Sequence, residues 1–382
     1  MNQRSYLDYN ATAPLRPEVR DAIVAALAFY GNPSSVHEEG RTARAAIEDA
    51  RAKVAALVGA KPENVIFTSG GTEANALALA ATPGEARHCY MSAVEHPSVL
   101  AAGRSYGEGG TTIPVNCEGV ADLGVLAKEL ENHHLQGCGP IVSLMAANNE
   151  TGAIQPVAEA AEIVHSAGGI LHSDAVQAAG KVPFVLAALG ADMASLSAHK
   201  IGGPKGVGAI VLTEGVSVDP LIKGGGQERR RRAGTENVAG IVGFGVAATL
   251  AARDLAGTGT IAALRNALEE GVRAIAPDAV ILSESVERLP NTACIAVPGA
   301  KAETLVIGLD LAGVSVSAGS ACSSGKVEPS HVLAAMGVPP ELAQSAVRIS
   351  LGFGTLNIDV QTFLVAFGEL IKRIRRSSKE AA

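Results

Sequence analysis

Two short segments place reactive side chains directly after apolar runs. In Ile170-Leu171-His172-Ser173-Asp174-Ala175-Val176-Gln177, a carboxylate closes a run that reads as a buried strand. A charge there is expensive unless a cation or hydrogen-bond donors meet it, although Asp174 alone serves equally as the N-cap of a following helix. The second segment, Ser195-Leu196-Ser197-Ala198-His199-Lys200, brings a lysine to a strand end beside a hydroxyl and an imidazole, with Gly202-Gly203-Pro204-Lys205-Gly206 after it. A surface position explains most single lysines. A desolvated one has a lowered pKa, and its amine can condense with an aldehyde. A carboxylate for a pyridinium nitrogen and an amine for an aldehyde are together the two fixed protein partners of pyridoxal phosphate.

Two more segments carry possible chemistry. Phe67-Thr68-Ser69-Gly70-Gly71-Thr72-Glu73 runs from an apolar strand through two glycines into a helix expected over residues 73–81. Backbone N–H groups left free at such a helix start form an anion cradle, and Thr72 adds a hydroxyl. The same sequence is also an ordinary turn, and it lacks the Gly-Lys-Ser/Thr ending of a Walker A loop. Cys322 sits in Ser317-Ala318-Gly319-Ser320-Ala321-Cys322-Ser323-Ser324-Gly325, a run too small and polar to pack as core. A thiol in such a loop can travel, and a nearby base or cation helps to generate the nucleophilic thiolate, since free cysteine titrates near ~8.5. Pro329-Ser330-His331 starts a helix that tethers the loop. Cys294, in the alternating run 292–297, reads instead as a small buried hydrophobe.

These groups need a scaffold that delivers strand ends to one place. Apolar runs at residues 65–67, 141–146, 169–171, 194–196 and 207–212 alternate with Ala-rich helical stretches or Gly-rich turns. Helices are expected over 17–30, with Val19, Ile23, Val24 and Leu27 on one face, and over 41–57, with Ala46, Ile47, Ala50, Val54 and Leu57. The alternation predicts an α/β fold with a mostly parallel sheet and crossover helices. Beyond about residue 258 the texture changes to strands at 279–282, 291–297 and 314–317 and helices at 261–276, 302–311 and 359–376. The basic end of the last helix (Lys372, Arg373, Arg375, Arg376) suits a helix C-terminus. A large α/β domain is therefore expected over 16–257, and a smaller α+β domain over 258–382 joined by residues 1–15.

Composition narrows the possible partners. The chain has 382 residues, 47% hydrophobic and 18% charged, enough apolar material for a sizeable core. Aromatics are 3% with no Trp, and the net charge is −7, so neither a stacking surface nor a counterion for nucleic acid is expected. Five cysteines (Cys89, Cys117, Cys138, Cys294, Cys322) form no CxxC pair, which points to reduced thiols in a cytoplasmic setting. The first residues have no apolar signal region, and the weakly polar stretch 238–252 falls short of the ~18 residues of a spanning helix. The expectation is a soluble protein with no membrane partner.

A longer series of motifs is more specific than any of these. In order it comprises Leu7-Asp8-Tyr9-Asn10-Ala11-Thr12-Ala13-Pro14, Gly31-Asn32-Pro33-Ser34-Ser35-Val36-His37, the Thr68 to Glu73 turn, Glu95-His96 and Asn148-Asn149-Glu150-Thr151-Gly152. The segments ending at Gln177 and Lys200 follow, then Gly224-Gly225-Gly226-Gln227-Glu228 and Arg232-Ala233-Gly234-Thr235-Glu236-Asn237. Ser320-Ala321-Cys322-Ser323-Ser324-Gly325 and Val347-Arg348-Ile349-Ser350-Leu351-Gly352 close it. From residue 7 to about 352 the chain resembles the cysteine desulfurases, in the nitrogenase-type and housekeeping branch that carries Ser-Ala-Cys-x-Ser-Gly.

The resemblance implies a pyridoxal phosphate enzyme of fold type I that converts L-cysteine to L-alanine and passes the sulfur on as a persulfide. It implies that Lys200 binds the cofactor and moves the substrate α-proton, that Asp174 faces the pyridine nitrogen, and that His96 stacks on the ring and takes part in proton transfer. Gln177 is implied at the ring hydroxyl, and Gly71, Thr72, Ser197 and His199 at the phosphate. Thr235 reaches the phosphate of a second subunit, which implies a homodimer. Arg348 clamps the substrate carboxylate, a task that suits its planar fork, while Asn149 lies between cofactor and substrate. Cys322 accepts the sulfur, and meets metal only through its persulfide at a nascent iron–sulfur cluster. An iron–sulfur scaffold or another sulfur acceptor is the implied partner.

The chain departs from the family at Ala233, commonly Ser, and in the run Arg229-Arg230-Arg231-Arg232. The run suits an intersubunit or partner-docking loop better than a nucleic-acid patch on an acidic chain. Lys200, Asp174 and Arg348 alone also fit a selenocysteine lyase or another class V aminotransferase, and Cys322 tips the balance towards sulfur transfer.

Overall fold

The apolar runs become strands buried on both faces. The computed structural model describes residues 4–80, 88–105, 110–133, 139–318 and 330–380; Cys138 and Cys322 lie outside them. The chain opens with β1 (Ser5–Tyr6), α1 (Pro17–Ala26) and α2 (Glu38–Leu57). Next come β2 (Val65–Thr68), α3 (Gly71–Ala80), β3 (Cys89–Ser92), α4 (Pro97–Arg104), β4 (Gly110–Ile113), α5 (Leu123–His133) and β5 (Ile141–Ser143). They are followed by α6 (Val157–Ser166), β6 (Ile170–Asp174), β7 (Met193–Ser197), β8 (Gly208–Leu212) and α7 (Val238–Asp254).

Seven of these strands form one sheet in the order β2-β8-β7-β6-β5-β3-β4. All pairs are parallel except those of β8, which runs against both β2 and β7. Side chains alternate between two cores, as the pleat requires. Val65, Phe67, Ala194, Leu196, Ala209 and Val211 pack on the side of α2 and α7. Ile66, Met193, Ile210 and Leu212 pack with α3 and with Val99 of α4. This is the mostly parallel α/β architecture that the alternation predicts.

The rest of the chain supplies α8 (Thr258–Ile275), β9 (Val280–Ile281), β10 (Thr292–Ala296), α9 (Ala302–Leu311) and β11 (Val314–Ser315). β12 (Ser317–Ala318), α10 (His331–Ala335), α11 (Pro340–Ala343), β13 (Ala346–Ser350) and α12 (Asn357–Glu380) complete it. An antiparallel sheet of order β12-β13-β10-β9 packs Ile295, Val347 and Ile349 against Leu268, Leu305, Phe363 and Phe367. The chain start joins this part: β1 pairs in parallel with β11, and Asp8 bridges to Ser350. Asp8 is thereby set beside Arg348 on β13.

Some boundaries differ from the periodicity. The helix expected to 30 ends at Ala26, and the one expected from 41 begins at Glu38, because His37 Nδ1 accepts the Gly40 amide and caps it. Periodicity marks neither β3, only four residues long, nor β4, the half-buried edge strand. The apolar stretch expected to stop at residue 252 runs on as one nearly continuous helix, Val238–Ile275, long and apolar enough by composition to cross a membrane. Half of its most apolar window is buried, and Ile241, Phe244, Ala247, Ala248 and Ala251 face the core beside α2.

Candidate active site

Asp174 ends β6 and Lys200 follows β7; the two strands are parallel neighbours that pair Asp174 with Ser195. The carboxyl ends of such strands are where open α/β sheets receive ligands. A cavity of about 470 Å³ opens there and gathers Asp174, Gln177, Lys200, His96, Asn149 and Arg348. Gly71, Thr72, Ser197 and His199 line it too, where it meets a second opening beside Lys205. Every expected site residue except two is thus brought together. Thr235 is exposed and does not line the cavity, and Cys322 lies outside the described residues.

Asp174 is 6% exposed, and donors fix its carboxylate. Asn75 Nδ2 donates to Oδ2 at 2.7 Å, and the Val176 amide donates to Oδ1 at 3.0 Å. The same Asn75 nitrogen donates to Ser98 Oγ at 3.0 Å, and Ser98 Oγ lies 2.7 Å from His96 Nδ1. A hydrogen-bond chain therefore links Asp174 to His96. The Ser98 amide also donates to His96 Nδ1, at 3.1 Å, so the neutral ring carries its proton on Nε2. Burial holds His96 below the ordinary imidazole range, helped by Lys200 and His331 and opposed by Asp174. Beneath Asp174, His172 bridges Ser143 Oγ at 2.8 Å and Ser195 Oγ at 2.9 Å; burial pushes it down to about 4.

Lys200 Nζ donates to the carbonyl oxygens of Asn10 at 2.6 Å and Ala11 at 2.9 Å. Asn10, 1% exposed, is a junction that the sequence reading missed as a site residue. Its carbonyl also accepts from Gln177 Nε2 at 3.0 Å, and its side chain reaches Asn149 O, Thr292 Oγ1, Asn291 and Lys181. Much of this work goes through a backbone carbonyl, which no residue type announces.

Arg348 is 5% exposed. Its Nη2 pairs with Asp8 Oδ1 at 2.8 Å and its Nη1 donates to Asn149 O at 3.1 Å, while the buried Nε has no partner among the described residues. Asp8 thus orients the guanidinium, and its place directly before Tyr9 in the first motif was the available signal. Glu150, also unassigned from sequence, lines the cavity and accepts from Ser330 Oγ at 2.6 Å. Burial raises its pKa to about 7, against the pull of Ser330 and Arg348.

The turn before α3 has the form of a cradle. A Cβ on Gly71 would stand 2.9 Å from Val176 Cγ2, so glycine keeps the backbone open to the cavity. Glu73 Oε2 accepts the Ser69 amide at 2.7 Å, and the same carboxylate binds Arg232 Nε at 2.9 Å. Arg232 is therefore engaged with α3. Arg229 and Arg231 donate to Glu63 O, and Arg230 lines a separate opening with Gly224 to Gly226. The run is strained: Glu228, Arg229 and Arg230 all have positive φ, at 42°, 55° and 68°. Glu228 anchors it, buried against Arg51 at 2.6 Å and accepting the Phe67 amide at 3.0 Å.

A positioned carboxylate, a lysine, a glycine cradle with hydroxyls and an arginine with an unmet N–H fit pyridoxal phosphate and an amino-acid carboxylate. Comparison with known proteins agrees. Residues 5–363 match the family Aminotransferase class-V. A cysteine desulfurase of Cereibacter sphaeroides is 46% identical, covering 98% of each chain. The cysteine desulfurase IscS of Dictyoglomus turgidum is 41% identical, covering 99% of this chain and 97% of its own. Among solved structures, a NifS-like protein from Rickettsia africae superposes with a TM-score of 0.88 at 37% identity, covering 97% of this chain and all of that one. The chain belongs to the class-V aminotransferases and, within them, to the pyridoxal phosphate-dependent cysteine desulfurases.

Proposed function

We propose that this enzyme takes sulfur from L-cysteine through Lys200, Asp174, His96 and Arg348, and delivers it to the Cys322 thiol. One observation carries the assignment of roles: these four positioned side chains, apart from the thiol, meet in a single cavity of about 470 Å³. Pyridoxal phosphate supplies an electron sink for the charge released at the substrate α-carbon. Asp174, oriented by Asn75 and Val176, faces the ring nitrogen. Gly71, Thr72, Ser197 and His199 hold the phosphate, and Gln177 donates to the ring hydroxyl. Arg348, oriented by Asp8, binds the substrate carboxylate beside Asn149. Lys200 Nζ carries the α-proton, and His96 offers the proton on Nε2. In the net reaction, L-cysteine and the Cys322 thiol give L-alanine and a Cys322 persulfide.

The enzyme works in the cytoplasm as a homodimer; Thr235, exposed and away from its own cavity, reaches the phosphate of the second subunit. Its acceptor is an iron–sulfur scaffold or another sulfur-accepting protein, a reading that rests on the relatives' names. Incubation with L-cysteine and a reductant, with alanine and sulfide measured together, tests the reaction. Equal amounts of the two are expected. Pyruvate and ammonia, or a transaminated product, would contradict it.

A further inference from the structure

Lys181 has no place in the reading above, yet its amine is hydrogen-bonded to Gln177, which lines the cavity. The residue follows Gly180 and lies four positions after Gln177. Its Nζ donates to Gln177 Oε1 and, at 2.9 Å, to Asn10 Oδ1. Gln177 Nε2 donates to the Asn10 carbonyl at 3.0 Å. A backbone carbonyl only accepts and an amine N–H donates, so the two contacts together forbid the flipped amide. Protonated or neutral, Lys181 has the two N–H groups that its contacts need. One hydrogen on Gln177 Nε2 remains, and Gln177 lines the cavity.

We infer that Lys181 is a positioning residue: with Asn10 it locks the Gln177 amide so that only a donor N–H is offered to the cofactor's ring oxygen. That oxygen is then held as an acceptor, in its anionic form. Without Lys181 only the Asn10 carbonyl still opposes the turned amide, whose own oxygen would repel an anionic partner. The inference rests on the reading that Gln177 meets the ring hydroxyl. Burial, with Lys200 and Arg348 nearby, holds Lys181 well below the ordinary lysine range.

The test is a pH titration of the visible absorbance of the cofactor-loaded protein, with no substrate, for wild type, Lys181→Met, Gln177→Leu and the double variant. The groups around the site (Lys200, Arg348, Asp174, His96 and His199) are the same in all four. A donor on the ring oxygen favours its anion and lowers the midpoint of the absorbance change. Each single variant is expected to raise the midpoint by about one pH unit, the scale of one lost hydrogen bond. In the double variant, Lys181→Met should add less than half of the shift that it causes alone. Full additivity, or no shift from Lys181→Met, overturns the lock. An unshifted Gln177→Leu with a shifted Lys181→Met overturns instead the placement of Gln177 at the ring. Lys181→Gln, similar in size and uncharged, is read by the same criteria if the Met variant does not fold.

Discussion

Asn75 Nδ2 lies 2.7 Å from Asp174 Oδ2, and the same nitrogen continues to Ser98 and so to His96. The carboxylate and the imidazole are thus oriented by one buried amide, whose own Oδ1 has no partner among the described residues. Asn75→Ala removes a donor to a charged acceptor, worth roughly 1.5–3 kcal/mol. Cofactor release, followed as loss of visible absorbance on dialysis, should quicken about 10- to 100-fold. Asn75→Asp should be worse, since it sets a second carboxyl against Asp174 and one of the two must take up a proton. Retention as strong as wild type in Asn75→Asp would contradict this arrangement.

His172 titrates at about 4 in the folded protein because burial disfavours its cation. Unfolded, it titrates near ~6.5, so the unfolded chain binds more protons between those values and stability falls as the pH drops. The advantage of wild type over His172→Gln should be greatest at neutral pH. It should shrink by up to ~3 kcal/mol as the pH falls from 6.5 through 4. Denaturant unfolding of both proteins across that range checks it, and a constant difference would contradict it.

Thr235 is exposed in one chain, and the strained run before it is pinned by the buried Glu228–Arg51 pair. If Thr235 meets a second subunit's phosphate, light scattering should give twice the mass of one chain. Thr235→Ala should then weaken cofactor retention without changing that mass. Full activity in a monomer would exclude the role.

The strands that carry the chemistry were legible because their burial on both faces leaves continuous apolar runs, ending at Asp174 and just before Lys200. The β3–β4 edge was not legible, since β3 (Cys89-Tyr90-Met91-Ser92) is buried without any aliphatic β-branched residue or leucine, and β4 (Gly110-Thr111-Thr112-Ile113) is only half-buried. The site residues found from sequence were those whose chemistry is specific to their type. Those missed work on other residues: Asn75 orients Asp174, Asp8 orients Arg348, and Asn10 holds Lys200 through a carbonyl. Such contacts join segments far apart in the chain, and no local spacing records them.

The proposed reaction moves sulfur to Cys322. Cys89 and Cys294 are buried free thiols pushed up to about 12, so neither supplies a thiolate near neutral pH. The direct measurement is mass spectrometry of peptides from enzyme treated with L-cysteine and no reductant, kept under non-reducing conditions. Wild type should carry one extra sulfur on the peptide containing Cys322. Cys322→Ala should keep the cofactor but lose alanine production, and Lys200→Ala should leave Cys322 unmodified. Extra sulfur on Cys89, Cys117, Cys138 or Cys294 instead, or full alanine production by Cys322→Ala, would contradict the account.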